Sequence, residues 1–137
     1  MTEPARKGPS LPPVYRECRR LLLETEQSVA RFSRYHKYSV GADLRKQAMD
    51  IMRRVHRACF DKARHLQHLQ ALVWQVDDYK INLQLAMEVG AFTHSAKGQP
   101  HFDAFERLAR GASAVGKQCG GWLMASQSRA ARPADGD

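Results

Sequence analysis

Apolar side chains recur every three or four residues along most of this chain, and that spacing is the signature of a helix with one buried face. The sharpest case is Phe102, Phe105, Leu108, Ala112, Val115, Cys119 and Trp122, whose steps of 3-3-4-3-4-3 draw a single stripe. Three stripes precede it. Val14, Cys18, Leu21, Leu22, Thr25 and Val29 mark a helix over residues 14–31. Leu44, Ala48, Ile51, Val55 and Cys59, widened by Met52, mark one over 40–64. Leu69, Leu72, Val73, Val76, Tyr79, Leu83, Ala86 and Met87 mark one over 66–89, and Gly90 suits the left-handed residue that ends it. Pro100 suits the first position of the last helix, over 100–125, where its missing N–H does no harm.

No Val/Ile/Thr-rich alternating run competes with these patterns. The expected fold is all-α, an up-down-up-down four-helix bundle over residues 14–126. Residues 1–13, with four prolines and a glycine, and residues 127–137 read as flexible tails, and the polar segment 93–99 reads as a loop. Gly111, Gly116, Gly120 and Gly121 interrupt the last helix at about 1 kcal/mol each. Such a cost implies close backbone contact with a neighbour, or a frayed end near Gly120.

Charge is what composition adds. Lys and Arg number 22 against 14 Asp and Glu, a formal net charge of +8. That excess points to a polyanionic partner, and nucleic acid is the commonest. The second helix carries Arg45, Lys46, Arg53, Arg54, Arg57, Lys62 and Arg64, diluted by Asp50 and Asp61. Between the first two helices lies an aromatic-basic connector. Phe32, Tyr35 and Tyr38 would pin it, while Arg31, Arg34 and Lys37 point outward. Ser39 would cap the next helix through its hydroxyl, with Asp43 favoured by the helix dipole. Basic residues with Tyr35, His36 and Tyr38 interleaved can hold phosphates and stack on unpaired bases. The plainer alternatives are a solvated helix face and a packed connector.

Trp74, Ile81, Leu85 and Val89 lie off the main stripe of the third helix. They form a second apolar strip, which implies self-association unless they are the margin of one wide core face.

Catalytic constellations are missing. The chain has no Gly-rich phosphate loop and no Gly-x-Ser-x-Gly elbow. Asp77 and Asp78 are adjacent and so point apart on a helix. His56, His65 and His68 with Asp61 are the one group resembling a metal set, but the inward positions that di-iron bundles fill with Glu are apolar here. No metal, no cofactor and no enzymatic activity are expected. Cys18, Cys59 and Cys119 fall on apolar stripes, an odd number with no export signal, and read as reduced thiols of a cytoplasmic protein. No run is long enough to span a membrane, and no helix reads as a membrane-surface helix.

Three runs resemble a known family. Arg31-Phe32-Ser33-Arg34-Tyr35-His36-Lys37-Tyr38-Ser39-Val40-Gly41, then Leu44-Arg45, is similar to a signature of the form F-P-R, three residues, R/K, L-G, R. Tyr79-Lys80-Ile81-Asn82-Leu83-Gln84-Leu85-Ala86 is similar to L-R-x-x-L-R-L-A. Val115-Gly116 and Gly120-Gly121-Trp122-Leu123 look like I-G-R-x-x-G-G-W. Together they resemble the accessory variability determinant proteins of diversity-generating retroelements, relatives of the four-helix-bundle proteins encoded in ribosomal-RNA intervening sequences. Ser33 stands where Pro is usual, Val40 where Leu is common, and Gln84 where a second Arg is expected. Lys80 keeps its charge as a point rather than a fork.

The resemblance implies a barrel-like homo-oligomer, a homopentamer, with a basic outside. It implies a non-enzymatic partner of a reverse transcriptase that binds the enzyme and its template RNA and cDNA during mutagenic synthesis. On this reading phosphates would meet Arg34, Lys37, Arg45, Lys46, Arg53, Arg54, Arg57 and Lys80. Subunits would meet through Trp74, Ile81, Leu85 and Trp122. The competing expectation is a protein-interaction scaffold whose charge docks an acidic protein without nucleic acid.

Overall fold

The computed structural model describes residues 11–93 and 101–132. The expected tail up to residue 10, the loop residues 94–99, Pro100 and residues 133–137 lie outside the described residues. All regular structure among the described residues is helical: α1 (Pro13–Ala30), the single turn α2 (Arg34–Lys37), α3 (Val40–Phe60), α4 (His65–Glu88) and α5 (Phe102–Ala131), with a 3₁₀ turn at Lys62–Arg64.

Cross-helix contacts set the topology. The Glu26 end of α1 meets Arg45 near the start of α3, while Tyr15 at its other end meets His56. Gln47 of α3 bonds Asn82 of α4, and Arg54 bonds Gln75. His65, opening α4, meets Trp122 and Ser126 late in α5. Phe92 and His101, at the junction into α5, pack with Phe32 at the end of α1. Each pairing is antiparallel, and α1, α3, α4 and α5 pack in a closed cycle, so the bundle runs up-down-up-down.

The stripes fill the centre, except that Phe102, which opens the last one, is exposed and Cys59, which ends the second, is half-buried. Leu44, Ile51, Val55, Leu69, Leu72, Tyr79, Leu108, Val115 and Cys119 have no exposed surface. At one end Phe32, Phe92 and Phe105 form an edge-to-face chain, with centroids 5.1 and 5.5 Å apart, around the buried His101 ring. The His101 N–H donates to the Phe92 carbonyl at 2.8 Å, which closes the α4–α5 connection at its base.

Two glycines act where expected or where nothing else fits. Gly90, at φ 89°, ends α4: its N–H donates to the Met87 carbonyl and the Ala91 N–H to the Ala86 carbonyl. At Gly41 an added Cβ would lie 2.7 Å from Val29 Cγ1 and 2.9 Å from the His36 carbonyl oxygen, so α3 can start this close to α1 only with glycine.

Other expectations change. The second helix stops at Phe60, not at 64, because Asp61 leaves the helical conformation and Lys62–Arg64 tightens into a 3₁₀ turn. The last helix runs on to Ala131 with no fray at Gly120, so the expected tail at 127 begins inside α5. Buried Ser126, bonded to His65 and Arg129, holds that extra turn to the bundle. Gly120 and Gly121 have nothing within 4 Å of an added Cβ, so no helix of this chain requires them to be glycine. The connector folds into α2. Phe32 alone pins it, while Tyr35 and Tyr38 are 78% and 71% exposed. Ser39 does not cap α3: its hydroxyl donates backward to the Tyr35 carbonyl at 2.8 Å, an acceptor that α2 has just freed.

Candidate nucleic-acid interface

The outward face of α3 is where its cations gather. Lys46, Arg53 and Arg57 stand on the side opposite the stripe Leu44, Ala48, Ile51 and Val55, and all three are exposed. Asp50 sits among them. Its carboxylate meets Lys46 Nζ at 2.7 Å and Arg53 at 3.6 Å. Both cations remain largely in water, where such pairs contribute about 0–1 kcal/mol, so a polyphosphate can displace Asp50 at little cost. Arg57 makes no ion pair among the described residues.

The other five expected phosphate contacts separate. Arg45 turns toward α1 and pairs with Glu26 at 3.0 Å. Arg34 and Lys37 lie on α2, at the end of the bundle beside exposed Tyr35 and Tyr38. Lys80 leans toward α5: an added Cβ on Gly116 would sit 3.0 Å from its Nζ. Arg54 is half-buried and engaged by α4. It donates to Gln75 Oε1 at 3.1 Å and to His68 Nδ1 at 3.1 Å. A guanidinium only donates, so His68 Nδ1 accepts and its Nε2–H donates to Asp61 Oδ2 at 3.0 Å. That bond, with Arg64 beside it, holds the Asp61 carboxyl below the usual carboxylate range. The chain Gln75–Arg54–His68–Asp61 ties α3, the 3₁₀ turn and α4 together. Arg54 is therefore a structural residue, contrary to its expected place on the interface.

The other histidines are engaged too. His65 Nδ1–H donates to the Ala58 carbonyl at 2.7 Å, so its Nε2 accepts from the Ser126 hydroxyl at 3.0 Å. His56 packs between Tyr15 and Phe60. Among the described residues no three His, Cys, Asp or Glu side chains converge as metal ligands do. Cys18 and Cys119 are buried, and burial pushes both thiols up to about 12. No helix among the described residues is long and apolar enough to cross a membrane.

The second apolar strip on α4 is solvent-facing: Trp74, Ile81, Leu85 and Val89 are 64%, 66%, 46% and 46% exposed. These residues are not the margin of the core. Exposed Asp77, Asp78 and Glu88 flank them, so this face is apolar and acidic where α3 is basic. Trp122, expected with them, is half-buried, its ring edge against His65 at 5.7 Å. It belongs to the α4–α5 packing within one chain.

Sequence reasoning missed a groove beside the basic face, lined by Tyr15, Met49, Met52, His56 and Phe60. Its signal was present. Met49, Met52, His56 and Phe60 step 3-4-4 along α3, a stripe next to the core one. No protein-family model matches the chain, and neither a curated protein nor a solved structure matches it significantly.

Proposed function

We propose that this chain is a non-enzymatic accessory subunit of a diversity-generating retroelement. It acts in the cytoplasm as a basic scaffold that holds the reverse transcriptase and its template RNA or cDNA together for mutagenic synthesis. The observation that carries the nucleic-acid half of this reading is the outward face of α3. Lys46, Arg53 and Arg57 stand there in solvent with Asp50 as their one carboxylate partner among the described residues. The exposed strip Trp74, Ile81, Leu85 supports assembly of several copies. The resemblance makes that assembly a barrel-like homopentamer. Gly120 and Gly121, open on the outside of α5, leave room for a neighbouring backbone.

The test is binding to structured RNA across a salt series. Wild-type affinity falls steeply between low and physiological salt, because phosphate contacts release counterions. The R53E/R57E double variant, which leaves Arg54 in place, loses binding and keeps its helicity. A flat salt response, or an unaffected double variant, rules the reading out.

One observation favours a protein-docking scaffold instead. The exposed strip Trp74, Ile81 and Leu85 is an apolar surface that a protein partner can cover and that phosphates cannot use. A protein partner recovered after nuclease treatment, with no RNA bound, would establish that second reading.

A further inference from the structure

The groove missed in the sequence lies between the first turn of α1 and the last three turns of α3. It is open to solvent, with a volume of about 610 Å³. Met49 and Met52 form its apolar floor. Three rings line it in a row. Tyr15 stands edge-on to His56, with centroids 5.3 Å apart and planes at 73°. His56 and Phe60, one turn apart, lie 5.6 Å from each other with planes only 30° apart. Phe60 keeps 52% of its surface exposed. Arg53 and Arg57 stand on the rim.

The geometry points to a binding site for an unpaired nucleotide of a single-stranded nucleic acid. The base stacks on the Phe60 and His56 rings over the methionine floor, and its phosphates meet Arg57 and Arg53. The site rests on the nucleic-acid reading of α3 and specifies how that face distinguishes strands. The groove has the volume of an ordinary small-ligand site, about 300–1,000 Å³. Every base has a π-face, so such a platform tolerates any sequence. Bases held in a duplex are stacked on each other and cannot enter. Charge gives the site a direction. Arg53 and Arg57 stand one turn apart along one side of the groove, so the backbone runs along them, and Asp61, one turn past Arg57, repels phosphate at the end of that row. An acidic amphipathic helix would also suit an apolar groove with a basic rim. The exposed faces of the Phe60 and His56 rings favour a flat base, because an aliphatic helix face gains no stacking from them.

The experiment uses the full chain and a single-stranded RNA of about 12 nucleotides carrying 2-aminopurine, followed by anisotropy and by 2-aminopurine fluorescence. Binding quenches the fluorophore through stacking. F60L weakens binding about tenfold or more and removes the quench, whereas F60W retains both. The salt slope stays unchanged in F60L and falls by about one in R57Q. Blunt duplex RNA binds wild type and F60L equally. If wild type binds single strands but F60L binds them as tightly with the same quench, the groove proposal is overturned and the basic-face reading stands. If wild type binds no RNA even at low salt, that reading itself has failed. Loss in F60L of an acidic amphipathic peptide, with RNA binding untouched, also overturns the proposal and makes the groove a protein-docking site.

Discussion

The Tyr79 hydroxyl on α4 donates to Thr25 Oγ1 on α1, 2.7 Å away across the diagonal of the bundle. The direction is set by Thr25, whose own hydrogen is already given to the Leu21 carbonyl at 2.6 Å. Both side chains are fully buried. Desolvation drives the Tyr79 phenol well above its ordinary range, so the O–H stays intact as a donor. T25V keeps the shape and removes the acceptor, leaving a buried hydroxyl unpaired at a cost of about 1–3 kcal/mol. Y79F in the T25V background recovers much of that loss. Urea unfolding of the four proteins in this cycle measures it, and a T25V protein as stable as wild type would contradict the assignment.

Arg54 and Arg53 are neighbours in sequence with opposite roles. R54A leaves His68 Nδ1 and Gln75 without their donor and lowers stability by about 1–3 kcal/mol. R53A touches only an exposed 3.6 Å contact and stays within about 0.5 kcal/mol of wild type. Thermal melts of the two variants separate them. Equal melting temperatures would mean that the Gln75–Arg54–His68–Asp61 chain does not hold the helices together.

His101 sets an acid limit on stability. Its ring is buried against Phe32 and Phe92, and neither ring nitrogen has a side-chain or backbone partner within hydrogen-bond distance among the described residues. Burial lowers its pKa and the Arg31 charge lowers it further, while the nearby Ala91 backbone and the Asp103 charge oppose the shift without reversing it. A folded pKa below the unfolded value means that the unfolded chain binds more protons between the two. The stabilisation is therefore complete above about pH 6.5 and is lost as pH falls through the folded value. Asp61, also depressed, adds a second loss in the carboxylate range. Denaturation midpoints measured from pH 8 to pH 4 should decline first below about 6.5, and H101Q should remove that first step.

Ile81 tests assembly without touching the core. It is 66% exposed and lies on the same strip as Trp74 and Leu85. I81E places a charge in any interface formed there, so light scattering after size exclusion should show smaller particles. The single-chain fold gains no buried charge, so its helicity should persist. An unchanged mass would move the interface elsewhere.

Much of the fold was legible because each helix writes its buried face into its own spacing. The spacing of Val14, Cys18, Leu21, Leu22, Thr25 and Val29 defines one face, and all are buried. Gly90 was legible for a local reason, since a left-handed residue after an apolar stripe is a helix end wherever the helix lies. The site was legible only as a set of charges. Arg53, Arg54 and Arg57 look alike in sequence. Which of them is free depends on Gln75 and His68, brought over from another helix.

By itself the sequence determined the helices, their inward faces and the surplus of positive charge, because these depend on neighbours within a few residues. Tertiary structure alone decided that Arg54 bonds to side chains of another helix, that Tyr35 and Tyr38 face solvent, and that Tyr15, His56 and Phe60 share one groove. Those outcomes depend on which face of one helix meets another. Periodicity fixes the direction of a stripe, but the partner across it is chosen only when the helices pack.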